Sequence, residues 1–206
     1  NAQATVKPIV KPTEQAPAGQ KPLVDAAANG VPIVLIAPPN AGGISHNLYS
    51  DFNVGQNGLI LNNSKANTST QLGGMIAGNL QLGMTTARLI LNEVSSSRTS
   101  QLNGFIEVAG QKADIVIANP NGISCNGCGF INTNGHVTLT TGKLQFDGGG
   151  NLNSFDVQSG VLTVGGKGLN ASNLAQLDLF ARGIVIEGEI STQNLNAILG
   201  SNKILH

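Results

Sequence analysis

The side chains in this sequence best equipped for chemistry are two cysteines and three histidines. Their spacing limits what they can do. Cys125-Asn126-Gly127-Cys128 is the one cysteine pair. Two thiolates make half of a tetrahedral zinc site, and His136, well downstream, is poorly placed to help complete it. A redox dithiol belongs at a helix N-terminus in a βαβ context, which this region lacks. In an exported protein the same pair reads as a small-loop disulfide that stiffens a turn. Ser45 and His46 adjoin in sequence, which says nothing of nucleophile–base geometry, and His206 is the final residue. No His-Glu-x-x-His, Gly-x-Ser-x-Gly, Walker or dinucleotide pattern occurs. Gly165-Gly166-Lys167-Gly168 lacks the hydroxyl residue and upstream glycine of a phosphate loop. The reading is a chain that is not an enzyme and has no cofactor and no metal.

Asn119-Pro120-Asn121-Gly122-Ile123 carries a different kind of information. Asn first, Pro second and Gly fourth are the preferences of a type I turn, so these residues specify backbone geometry before they specify any partner.

The elements that must hold these residues are set by composition. The chain has 206 residues and a net charge of zero, with only 11% charged residues against the usual ~25%. No basic surface is available to displace counterions from nucleic acid or to hold an anionic membrane. At 40% hydrophobic the chain can bury a core, and with no Trp, one Tyr and six Phe that core is aliphatic. Its 27 glycines and almost as many asparagines favour turns and disfavour helix interiors. The pattern is many short strands, and no apolar run reaches the ~18 residues of a spanning helix. Asn1-Ala2-Gln3-Ala4 lacks a basic or apolar leader, so the chain is read as cytosolic or as already freed of its signal peptide.

All but one of the eight prolines precede Asn40, the exception being Pro120. Residues 1–30 therefore read as an extended, mobile lead-in, and residues 31–206 as one ordered domain beginning at the β-rich run Val31 to Ile36. Beyond residue 44 a loose repeat recurs at about thirty residues, one solenoid coil with an insertion. Leu59-Ile60-Leu61-Asn62, Leu89-Ile90-Leu91-Asn92 and Val116-Ile117-Ala118-Asn119 each close an apolar run with Asn. Continuous apolar runs suit parallel strands, and Asn can ladder at the corners. Leu59, Leu61, Ile90, Val116 and Ile117 are expected near the interior. Gly148-Gly149-Gly150 reads as a hairpin tip. Ala171 to Phe180 could place Leu174, Leu177 and Phe180 on one helical face, but the alternation of Leu177 and Leu179 favours strand. The expected class is all-β, a right-handed parallel β-helix.

Several segments in order then carry a resemblance: Gln71-Leu72-Gly73-Gly74, Ile90 to Val94, Gln101 to Gly110, and Ala113 through Ile123, followed by Cys-Asn-Gly-Cys-Gly-Phe. With Ser45-His46-Asn47, Asp51 to Val54 and Gly58 to Asn63, they resemble the N-terminal secretion domain of two-partner secretion exoproteins of the filamentous haemagglutinin type, from about Gly30 to Lys203. The resemblance implies a β-helix with small antiparallel extensions and an N-terminal cap. It implies recognition in the periplasm by a cognate outer-membrane transporter of the Omp85 class, with POTRA modules and a β-barrel pore, and nucleation of folding during export. Residues Asn119, Pro120, Asn121, Gly122 and Ile123 then become a secretion motif. Where the family shows Asn-Pro-Asn-Leu, this chain has Asn79-Leu80-Gln81-Leu82, so that corner either needs no rigid turn or is recognised more loosely. The Gly-Val-Pro opening and the Cys pair are most similar to contact-dependent growth-inhibition proteins and related secreted haemolysins. The delivered toxin lies far downstream in the inhibition proteins, and any target-cell receptor would be met only there. The alternative is a haemolysin or a carbohydrate-binding filamentous adhesin. The domain is expected to be a secreted monomer without nucleic-acid partners.

Overall fold

A computed structural model describes residues 10–206, nearly all of them in short strands and turns. Three parallel sheets wrap a common interior. The first runs Ile44–Phe52, Leu89–Val94, Ala113–Ala118, Thr133–Thr140, Gln176–Ala181 and Leu195–Leu199. The second runs Pro32–Leu35, Leu59–Asn63, Phe105–Gly110, Cys128–Ile131, Leu169–Ala171 and Ile190–Thr192. The third is shorter: Ser100–Leu102, Ile123–Cys125, Val161–Val164 and Gly183–Ile186. Each coil visits the first, third and second sheets in turn, so the expected parallel β-helix is the observed architecture.

Small residues at the corners and aliphatic residues on the strands build the interior. Leu59, Leu61, Ile90, Ile106, Ile117, Leu139 and Leu179 are buried there without measurable exposure. Tyr49, Phe52 and Phe130 fill the wider places. Asn47 and Asn92 lie in register on the first sheet and donate to the Leu91 and Val116 carbonyls, each bonding the neighbouring coil. The Tyr49 hydroxyl donates to Asn92 Oδ1, and complete burial pushes its pKa upward.

Two insertions explain why the apolar runs do not alternate. A hairpin, Thr68–Thr70 with Gly74–Ile76, covers the outer face of the second sheet, burying Ile33, Ile60 and Ala109. The buried Glu107 carboxylate pins it, accepting from the Gln71 and Leu72 amides at 2.9 Å each. A three-stranded antiparallel flap, Lys143–Phe146, Leu152–Val157 and Asn202–Leu205, covers the outer face of the first sheet. Its Leu144, Leu152, Phe155 and Val157 pack on Leu89, Leu91, Val116 and Phe180. Parallel strands covered on both faces read as continuous apolar runs. Val116, expected inside, instead points outward beneath the flap.

The repeat read from the sequence is shifted. Leu59 to Asn62 belong to the second sheet, and Leu91 pairs with Val116 rather than Leu89 doing so. Asn119 therefore follows its strand, whereas Asn92 lies within one. Ala171 to Phe180 is strand, turn and strand. Asp147 caps the glycine-rich flap tip, its Oδ1 accepting from the Gly149 and Asn151 amides, and these bonds hold its pKa below the usual carboxylate range.

The boundary expected at residue 31 is not a structural break. Val10–Pro12 pairs antiparallel with the first strand of the first sheet, and Leu23–Ala26 pairs antiparallel with Pro32–Leu35. Prolines that cannot donate in mid-sheet suit a terminal strand, which needs partners on one side only. Residues 10–30 thus cap the first coil, while the lead-in's first nine residues lie outside the described residues.

Candidate secretion motifs

Asn119 directly follows the first-sheet strand Ala113–Ala118 and turns the chain toward the third sheet. The Gly122 amide donates to the Asn119 carbonyl at 3.1 Å, closing a β-turn. Asn119 Oδ1 accepts from the Asn121 amide at 3.0 Å, an Asx turn inside the β-turn. Gly122 has φ of 128°, and a Cβ there would sit 3.1 Å from the Val161 carbonyl oxygen, so both conformation and space require glycine. The side chains fasten this corner to its neighbours. Fully buried Asn119 donates to the Arg98 carbonyl and to Ser100 Oγ, each at 2.9 Å. Asn121 Nδ2 donates to the Ser96 carbonyl at 2.7 Å. On the other side, Ser159 Oγ donates to the Pro120 carbonyl. The turn is clamped between the corners of the coils before and after it.

The corner at Asn79-Leu80-Gln81-Leu82 repeats this design without proline. Its chain forms a short 3₁₀ turn, Leu80–Leu82, with Asn79 as the cap. Asn79 Oδ1 accepts from the Gln81 amide at 3.0 Å, and its Nδ2 donates to the Ile36 and Asn62 carbonyls. Gln81 Nε2 donates to the Leu35 carbonyl at 2.8 Å. The side-chain amides hold the bend that proline would otherwise favour, and Gln81 serves as Asn121 does with one more methylene of reach. Leu80, at the position of Pro120, is 93% exposed.

Cys125 and Cys128 are joined across the next corner, with Cα atoms 5.4 Å apart. Cys125 lies between Leu102 and Val164 of the third sheet, and Cys128 opens a strand of the second sheet beside Leu169. Both belong to the interior cluster, away from any solvent-borne thiol.

Two of the three histidines each meet a carboxylate, and His206 Nδ1 meets the Leu152 carbonyl. His46 Nε2 meets Glu93 Oε2 at 2.7 Å while its ring stacks on Phe146. His136 Nε2 meets Asp178 Oδ2, and that bond raises the His136 pKa. Burial pulls Asp178 upward, but bonds from His136, Gln176 and Thr138 outweigh it and leave the carboxyl below its ordinary value. Among the described residues no three His, Cys, Asp or Glu side chains converge in a way that could hold a metal ion.

Sequence reasoning missed one surface. Met75 is 66% exposed. With Leu80 it borders a groove of about 400 Å³ between the hairpin, the Asn79 corner and the strand Leu23–Ala26. An Asn-Leu-Gln-Leu segment amid a Gly-rich stretch gave no sign of it beyond the missing proline.

Comparison with known proteins decides the family. The family model described as the TPS secretion domain matches residues 9–206. The chain is a TPS secretion domain. The crystal structure of the filamentous hemagglutinin secretion domain superposes on this TPS domain with a TM-score of 0.87 at 36% identity, covering 96% of this chain and 65% of that one. The "tRNA nuclease CdiA" of Yersinia mollaretii is 52% identical over 88% of this chain. The "16S rRNA endonuclease CdiA" of Enterobacter cloacae is 48% identical, again over 88% of the chain. The TPS domain spans only 6% of the length of either relative.

Proposed function

We propose that this TPS domain delivers a long exoprotein to its cognate outer-membrane transporter, engaging the transporter's periplasmic POTRA modules before the chain enters the β-barrel pore, and then templates β-helix folding on the far side. The observation that carries this reading is the match of residues 9–206 to the TPS secretion domain. The first end of the coil is closed by the antiparallel strands Val10–Pro12 and Leu23–Ala26. At the other end the inward-facing rows are bare. Ile186, Leu195 and Leu199, in register with buried Val164, Leu177 and Ala181, are 55%, 45% and 53% exposed. In a solenoid each coil is stabilised by its neighbours, and the relatives are far longer than this segment, so these rows are where a following coil would stack.

The exoprotein is read as a contact-dependent growth-inhibition toxin, supported by its relatives named as CdiA nucleases. A carbohydrate-binding adhesin of this fold needs aromatic rings on an open face. Tyr49, Phe52, Phe130, Phe155 and Phe180 are all buried, and Phe105 and Phe146 are half-buried. The test is co-purification of the domain with the transporter's POTRA segment, alongside secretion of the full exoprotein from cells with and without the transporter. Secretion that persists without the transporter overturns the reading.

A further inference from the structure

We infer that the groove between the strand Leu23–Ala26 and the Asn79–Leu82 corner is where the transporter docks, and that its occupant is an extended apolar strand from the transporter's periplasmic part with a basic residue facing Asp25. This rests on the proposed role in transporter recognition.

The corner has turned its polar groups inward. Asn79 and Gln81 spend their amides on the Ile36, Asn62 and Leu35 carbonyls, so what it offers a partner is Leu80. Together with Met75 this makes a flexible apolar rim, the kind of surface that moulds to a docked segment. Across the groove, all four residues of Leu23–Ala26 are exposed, and among the described residues that strand has a sheet neighbour on one side only. Natural edges are usually blunted by Lys, Pro or a bulge. Lys21 and Pro22 stop just short of Leu-Val-Asp-Ala, the Asp25 carboxylate accepts from the Ala26 amide, and the pairing with Pro32–Leu35 is unbroken, so the Val24 amide and the strand's carbonyls are what the edge offers. A strand added here would gain main-chain bonds from the open edge while alternate side chains enter the groove.

Charge selects among occupants. Among the described residues, Asp25 is the only charged side chain lining the groove. A second copy pairing antiparallel through the same strand would bring two Asp25 carboxylates together on adjacent positions, which like charges disfavour. A strand carrying Lys or Arg opposite Asp25 meets no such opposition. The bare edges at the other end of the coil suit a following coil, whereas this edge lies beyond the cap, where no coil can stack.

The experiment uses the purified domain and the soluble POTRA segment of the cognate transporter. Leu80 and Met75 are exposed, so L80E/M75E should melt with the wild type yet bind at least about tenfold more weakly. D25K should also weaken binding, while L205E, on an exposed apolar residue of the flap, should not. In hydrogen exchange the Leu23–Ala26 amides of the wild-type domain should slow when the POTRA segment is added. Failure of the wild-type domain to bind would overturn the transporter reading itself. Wild-type affinity in L80E/M75E, or unprotected Leu23–Ala26 amides in a complex that does form, would overturn this site alone. If the variant changes only self-association by sedimentation, the occupant is a second copy and the proposal fails.

Discussion

Asn119 uses its side-chain amide entirely within the protein, which separates two roles that its sequence leaves open. A transporter cannot read a fully buried group that already donates to Arg98 and Ser100. Asn119→Asp would set a carboxylate against a carbonyl and a hydroxyl that now accept, leaving a buried polar group unsatisfied. The expected loss is about 3 kcal/mol, with secretion falling in step with the melt. Asn121 is half-buried, and Asn121→Asp should cost about 1 kcal/mol. Secretion lost at Asn121→Asp with an unchanged melting curve would show that the turn is read directly. His136 and Asp178 give a second residue-scale prediction. The histidine pKa is raised on folding, so its contribution is full below about pH 6.5 and fades as pH rises through the folded value. The aspartate pKa is lowered, so its contribution is present above about pH 3.9 and lost as pH falls through the folded value. The stability difference between wild type and His136→Gln should therefore be largest between these limits and shrink from pH 6 to 8 in thermal melts. A difference that grows with pH would refute the pairing.

At the scale of elements, the strands were legible and their coverings were not. Leu59, Leu61, Ile90 and Ile117 face inward as the pattern predicts. Val116 does not, because a run apolar at every position cannot say which face meets the interior and which lies under a flap. The Asn-closed repeat misaligned for a related reason: Leu59 and Leu89 look alike although they serve different sheets. Proline-rich residues 10–30 hid a cap, since a terminal strand needs few donors. The Asn119 turn was legible because its residues encode backbone geometry. The groove at Leu80 was not, because it joins segments distant in sequence. The cysteine corner supplies the prediction at this scale. A short loop removes little chain entropy, so Cys125→Ala/Cys128→Ala should cost no more than about 2 kcal/mol and leave the fold intact. The Ser pair should cost about 1–3 kcal/mol more, because two hydroxyls would enter an aliphatic interior. Equal melts for the Ala and Ser pairs would contradict the burial of this corner.

For the whole molecule, the rows at the end away from the cap are where a following coil would stack. Val164, Leu177 and Ala181 are buried because another coil lies on them; Ile186, Leu195 and Leu199 occupy the same rows without one. Exposed apolar residues and open strand edges invite pairing, and natural proteins usually block them. Here the chain leaves the first sheet after Leu199 and runs along the flap as Asn202–Leu205, so the bare rows stay uncovered by its own last strand. If this end is a template, charging it should spare everything upstream. Ile186→Lys/Leu195→Lys changes residues that already face solvent, so the isolated domain should keep its melting temperature and its affinity for the POTRA segment. What should fall is the yield of protease-resistant exoprotein at the cell surface, because the first downstream coil would lose the apolar rows on which it stacks. Full protease resistance in this variant would mean that downstream coils nucleate without the domain, reducing its role to delivery. A matching loss of POTRA binding would mean instead that the bare end is part of the docking surface.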